Sequence, residues 1–138
     1  MFGYLATLCA WGISLLQPQV TAPVSPPDLH PIEARIIERT NSQRTHHGLP
    51  PLVVDVRLQQ SARRHAAWMT NSRSMTHTNQ AVGENIAMGQ HSSTEVLNAW
   101  MNSSGHRANI LNPGYKRIGV AAYKTPDGTI FWCQQFLQ

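Results

Sequence analysis

The sequence predicts a layered α+β domain, and three observations carry that prediction. Apolar residues recur at helical spacing through most of the body, from Ile32 to Met101. From Ile118 onward the period drops to two. A Pro-Asp-Gly turn (Pro126 to Gly128) then divides that last segment into two strands of an antiparallel hairpin. Helices and a hairpin with one apolar face each bury those faces by stacking in layers.

The elements follow in order. Asp28 is a candidate N-cap and Pro31 fits a first helical turn. Ile32, Ile36 and Ile37 make an apolar stripe, and Gly48 followed by Pro50-Pro51 stops the helix, so the first helix is expected over 30–47. Asp55 caps a second helix over 55–72, striped by Leu58, Ala62, Ala66 and Met69. His65 lies beside that stripe and reads as a hydrogen-bonded packing residue. Residues 73–91 read as loop with one short apolar piece, Asn85 to Met88. Ser92 with Glu95 matches a capping box for a third helix, with Val96, Leu97, Trp100 and Met101 as its stripe and Gly105 as its end. Arg107 to Leu111 adds a further turn. Ile118, Val120 and Ala122 alternate, as do Ile130, Trp132, Gln134 and Phe136.

Composition sets the outer limits. The chain has 138 residues, 41% apolar and 13% charged, which fits one globular domain rather than a disordered tail. Residues 1–22 read as a signal peptide or N-terminal anchor. The uncharged run Phe2 to Leu16 would span roughly 22 Å as a helix, short of the ~30 Å hydrocarbon core. Residues 23–29 form a Pro-rich linker, and 30–138 the folded domain. Membrane contact is expected only through an uncleaved leader. With the leader removed, Cys133 stands alone. A small residue in a strand is the plain reading of it, and an exposed thiol there would permit a disulfide dimer of an otherwise monomeric protein.

The net charge is +4, and nine of the eleven basic residues are arginines. They are scattered, as at Arg35, Arg39 and Arg44 or Arg63 and Arg64, with no like-charge block and no aromatic interleaving. Nucleic acid is therefore not an expected partner. For an exported protein, a mild positive charge favours an anionic envelope polymer or lipid headgroups.

The chemistry gathers between His77 and Leu111. His77, Glu84 and His106 lie in three separate segments. Two imidazoles and one carboxylate make an open zinc site with water as fourth ligand, or a pair that moves protons. Packing offers the plainer alternative, with Glu84 holding a turn and both histidines satisfying buried polar groups. A hydrolase triad of Ser103 or Ser104 with His106 and Glu84 is disfavoured, because no G-x-S-x-G elbow is present; H-E-x-x-H is absent as well. Asn85 and Asn109 are expected to brace the cleft through loop backbone, and Gln134 is polar on an otherwise apolar strand face.

One order of motifs runs through nearly all of Ile36 to Phe136. It starts with N-x-x-R (Asn41 to Arg44), G-L-P-P-L (Gly48 to Leu52) and L-x-x-x-A-x-x-H-A-x-x-M (Leu58 to Met69). The isolated His77 follows, then G-E-N-I-A (Gly83 to Ala87) and W-M-N-S-x-G-H-R-x-N-I-L (Trp100 to Leu111). I-G-V (Ile118 to Val120) and W-x-Q-x-F (Trp132 to Phe136) complete it. This series resembles the CAP superfamily, or SCP-like domains, in its bacterial disulfide-free form. The resemblance implies an α-β-α sandwich with a small antiparallel sheet covered by helices on both faces. It also implies a cleft of two histidines and two acids, matched here by His77, Glu84 and His106, with Ser103 at the second acidic position. With one carboxylate missing, the resemblance points to an exported, non-enzymatic binding module, secreted or held in the periplasm or cell envelope. Its cleft would take a divalent metal such as Zn2+ or a small or lipidic ligand, lined by Ser103, Asn85 and Gln134. The alternative is a zinc-dependent, peptidase-like hydrolase using Glu84 as general base.

Overall fold

Three long strands and one short one form the central sheet of the computed structural model, which describes residues 28–138. The expected leader, and all but the last residues of the expected linker, lie outside the described residues. The elements run α1 (Pro31–His46), β1 (Val53–Val54), α2 (Val56–Ser72), β2 (Gly83–Met88), α3 (Ser93–Met101), α4 (Ser104–Ile110), β3 (Arg117–Lys124) and β4 (Ile130–Leu137). The strand order is β1-β3-β4-β2. β3 and β4 pair antiparallel, as expected of the hairpin; β2 also pairs antiparallel with β4, and β1 adds a two-residue parallel pairing to β3 that the sequence did not announce. Among the described residues no helix is long and apolar enough to cross a membrane.

Helices cover both sheet faces. On one, Ile36 and Ile37 of α1, Val96, Leu97 and Trp100 of α3 and Ile110 of α4 pack on Ile118, Val120, Trp132 and Phe136. On the other, Ala62, Ala66 and Met69 of α2 pack on Ile86, Ala121, Phe131 and Cys133. Small residues bring α2 close to the sheet. The approach is tightest at Gly119, where any Cβ would overlap the Leu58 carbonyl, and this explains the glycine of the I-G-V motif. Beside it, the buried Gln59 amide bonds both to the Val120 carbonyl (2.6 Å) and to its N–H (2.9 Å). The side chain thus continues the ladder of β3 where β1 has ended.

Several expectations need correction. The N-cap of α1 is His30, not Asp28, and Glu33 accepts the His30 N–H at 2.9 Å. Residues 83–88 are a strand rather than loop. Glu84, Asn85, Ile86 and Ala87 are all buried, so a sheet covered on both faces erases the polar alternation that marks a half-exposed strand. Gly105 does not end the third helix. α3 stops at Met101, and Gly105 lies in the first turn of α4, with Ser103 as its N-cap residue. Asp55 caps α2 as expected, accepting Leu58 N–H at 2.9 Å. Ser92 caps α3 at 3.1 Å, while Glu95 reaches back to His91 rather than to Ser92.

Arg44 is also misplaced by the sequence reading. It is fully buried, not a surface charge. Its guanidinium donates to the carbonyls of Pro50 (3.0 Å), Ile110 (2.9 Å), Asn112 (2.8 Å) and Tyr115 (3.2 Å). Burial lowers its pKa. One planar fork of five N–H donors thus ties the end of α1 to the segment between α4 and β3. Asn41 clamps Leu52 through both its N–H (2.8 Å) and carbonyl (3.0 Å). The N-x-x-R motif is therefore a backbone staple. Cys133 is fully buried, which removes the disulfide dimer expected from an exposed thiol.

Candidate functional site

Glu84 is the centre of the site. β2 is an edge strand, and its register sets Glu84 opposite Gln135 of β4. The carboxylate faces α2, with a side chain only 4% exposed. Four donors surround it. Oε1 accepts from His77 Nδ1 (2.8 Å) and from the Thr78 N–H (2.9 Å). Oε2 accepts from Gln135 Nε2 (2.9 Å) and lies 3.7 Å from Cys133 Sγ. His65 Nε2 is a further 3.7 Å neighbour of Oε2 and donates to the Thr76 carbonyl at 2.8 Å. A buried carboxylate is stable only when its lone pairs are filled in this way.

His77 is fixed at one ring nitrogen and open at the other. A carboxylate only accepts, so Nδ1 carries the proton. In the neutral ring, Nε2 is then left with a free lone pair. The side chain is 61% exposed. His77 opens on a pocket of about 390 Å3 shared with His65, Trp68, Thr78 and Asn79.

His106 stands on α4 and opens on a different pocket, of about 230 Å3. Ser103 lines it too, with Met75, Ile86, Met88 and Trp100. His106 is partly buried. Burial, and secondarily the charge of His77, lower its pKa below the ordinary imidazole value, which keeps the ring neutral at neutral pH.

Asn85 and Gln134 lie behind the site rather than in an open cleft. Both are fully buried on the sheet face opposite Glu84. Asn85 Nδ2 donates to the His106 carbonyl and to Gln134 Oε1, each at 3.1 Å. Gln134 Nε2 donates to Thr40 Oγ1 at 2.7 Å. Asn109 closes the lattice, donating to Asn85 Oδ1 (2.9 Å) and to the Glu84 carbonyl (3.1 Å). The bracing role expected of Asn85 and Asn109 is thus visible as bonds that lock α4 onto β2, which sets His106 relative to Glu84.

The structure therefore bonds His77 to Glu84, sets Ser103 and His106 on one pocket, and uses Asn85 and Gln134 in the scaffold. Zinc fits this donor set poorly. Among the described residues no three His, Cys, Asp or Glu side chains converge as ligands, and both Glu84 oxygens are already engaged. Sequence reasoning missed Cys133 and Gln135, although β4 alternation puts both on the face opposite Gln134. It also missed Trp68, which lies outside the apolar stripe of α2 and is 50% exposed.

The sequence profile of the cysteine-rich secretory protein family matches residues 37–136. The chain belongs to the CAP family. Among its relatives is the protein YkwD of Bacillus subtilis (strain 168), 37% identical over 134 residues. That match takes in 85% of this chain and 51% of YkwD, so the chain spans about half the relative's length. An extracellular SCP-domain protein of Bacillus anthracis str. Ames superposes with a TM-score of 0.68 at 30% identity, covering 77% of this chain and 40% of that one. An outer surface protein of Borrelia burgdorferi shares the fold, with a TM-score of 0.68 at 24% identity over 73% of this chain and 87% of its own. The CAP domain thus accounts for the helices on both sheet faces.

Proposed function

We propose that this CAP domain is a non-enzymatic binding module, exported to the cell envelope or the extracellular space, that takes a small or lipidic ligand beside His106. The observation that carries the reading is the state of Glu84. Its two oxygens are engaged by His77, Thr78, Gln135 and Cys133, and the group is buried. A general base must reach the water it activates, and it needs a free lone pair to do so. Glu84 instead orients His77. Ser103 stands where the resemblance expects a second acid, and this also weakens a two-carboxylate mechanism.

The His106 pocket supports the ligand class. Met75, Ile86, Met88 and Trp100 give it an apolar wall, and Ser103 and His106 supply two polar groups. That balance suits one end of an apolar molecule with a single polar head. The relatives support the location, since the Bacillus anthracis SCP protein is extracellular. An uncharged apolar leader adds to that support.

The test is a screen of peptide, ester and glycan substrates with the purified chain, with and without added zinc. The reading expects no turnover. Chelator-sensitive turnover that Glu84→Gln removes from a folded protein would overturn it and restore the hydrolase.

A further inference from the structure

We propose that the pocket lined by His65, Trp68, His77, Thr78 and Asn79 is a binding site for an uncharged sugar ring of an envelope or extracellular glycan. Its cavity of about 390 Å3 lies within the ~300–1,000 Å3 range of small-molecule sites. The floor is aromatic. Trp68 is 50% exposed, yet it is not a loose surface side chain. Its indole stacks on the His65 imidazole at 5.8 Å between centroids and 13° between planes. His65 is itself held by the Thr76 carbonyl at 2.8 Å. The indole is therefore a preset platform with one face supported, which lowers the ordering cost of a ligand stacked on it.

The remaining lining supplies hydrogen-bonding groups. His77 offers Nε2 as an acceptor because Glu84 occupies Nδ1. Thr78 brings a hydroxyl, and Asn79 an amide with both donors and an acceptor. The lining contains no Lys, Arg, Asp or Glu. An anionic polymer would find no Lys or Arg on that lining, and a cationic ligand no carboxylate. A pyranose ring matches both surfaces at once. Its C–H face lies on an indole, and its hydroxyls both donate and accept. This rests on the binding-module reading and names a ligand class for a second pocket of the same molecule.

The test is calorimetric and NMR titration of the full chain with cellotetraose, maltotetraose and N-acetylchitotetraose, and with choline as a cationic control. The expected result is saturable binding of at least one tetrasaccharide. Trp68→Ala weakens it about tenfold or more, and Trp68→Tyr retains most of it. Asn79→Ala, on the exposed loop, is a second variant that leaves the helix untouched and also weakens binding. No saturable binding at millimolar sugar, binding indifferent to Trp68→Ala, or binding of choline in place of every sugar overturns the proposal. The two readings fail separately. Turnover of a bound sugar overturns the binding module and leaves the sugar site standing. Absence of sugar binding removes this site and leaves the His106 pocket.

Discussion

Arg44 and Glu84 are both buried charges with no Lys, Arg, Asp or Glu of opposite sign against them, yet they serve different ends. Arg44 is held by four backbone carbonyls, and no side chain is among its hydrogen-bond partners. Glu84 is held by one backbone N–H and by side chains, and one of these, His77, is 61% exposed. The first arrangement is closed and ties segments together. The second ends in a ring whose far nitrogen meets the solvent. A buried charge thus becomes part of a site when its solvation shell includes a side chain that reaches the surface.

The largest break in this comparison comes from Arg44. Arg44→Ala leaves four carbonyls without their donor and should lower stability by about 4 kcal/mol in urea unfolding. Arg44→Lys should recover less than half, because an ammonium cannot match the planar fork. Glu84→Gln comes next. It keeps the shape but turns an N–H2 toward groups that are themselves donors, so a loss of about 2 kcal/mol is expected by the same measurement.

Cys133 sharpens the comparison through pH. Burial, and next the charge of Glu84, hold its thiol well above the ordinary value of about 8.5. As pH rises past that value, the unfolded chain releases the proton while the folded chain keeps it. The folded state then binds more protons, so stability falls with rising pH. Cys133→Ala should flatten this alkaline decline in a series of unfolding curves, and the native thiol should resist alkylation until the protein opens. The smallest effect on stability belongs to His77→Ala. Exposed as it is, the ring should contribute less than about 1 kcal/mol, while its removal weakens ligand binding in the pocket it shares with Trp68.

Much of the fold was legible because its signals are local. The stripes of α1 and α2, the Asp55 cap and the Pro126 to Gly128 turn each depend on neighbours within a few residues. β2 was not legible, because both its faces are covered and its buried residues include Glu84 and Asn85. The fate of Arg44 was hidden as well, since a charge read from sequence carries no information about the four distant carbonyls around it. At the site, His77, Glu84 and His106 were visible through the motif series. Their division between two pockets was not, because it depends on the β2–β4 register and on the Asn85-Asn109 lock. Trp68 escaped because a lone aromatic beside a helical stripe looks like surface until His65 is seen beneath it.

The central claim, that Glu84 is a buried acceptor orienting His77, has a direct test in the tautomer of that ring. Long-range 15N–1H correlation of the folded chain, at a pH where His77 is neutral, distinguishes the two nitrogens. The account predicts a proton on Nδ1 and a bare Nε2, with that preference lost in Glu84→Ala. A proton on Nε2 in the wild-type protein would mean that the carboxylate is free of His77, and it would return Glu84 to the role of a general base.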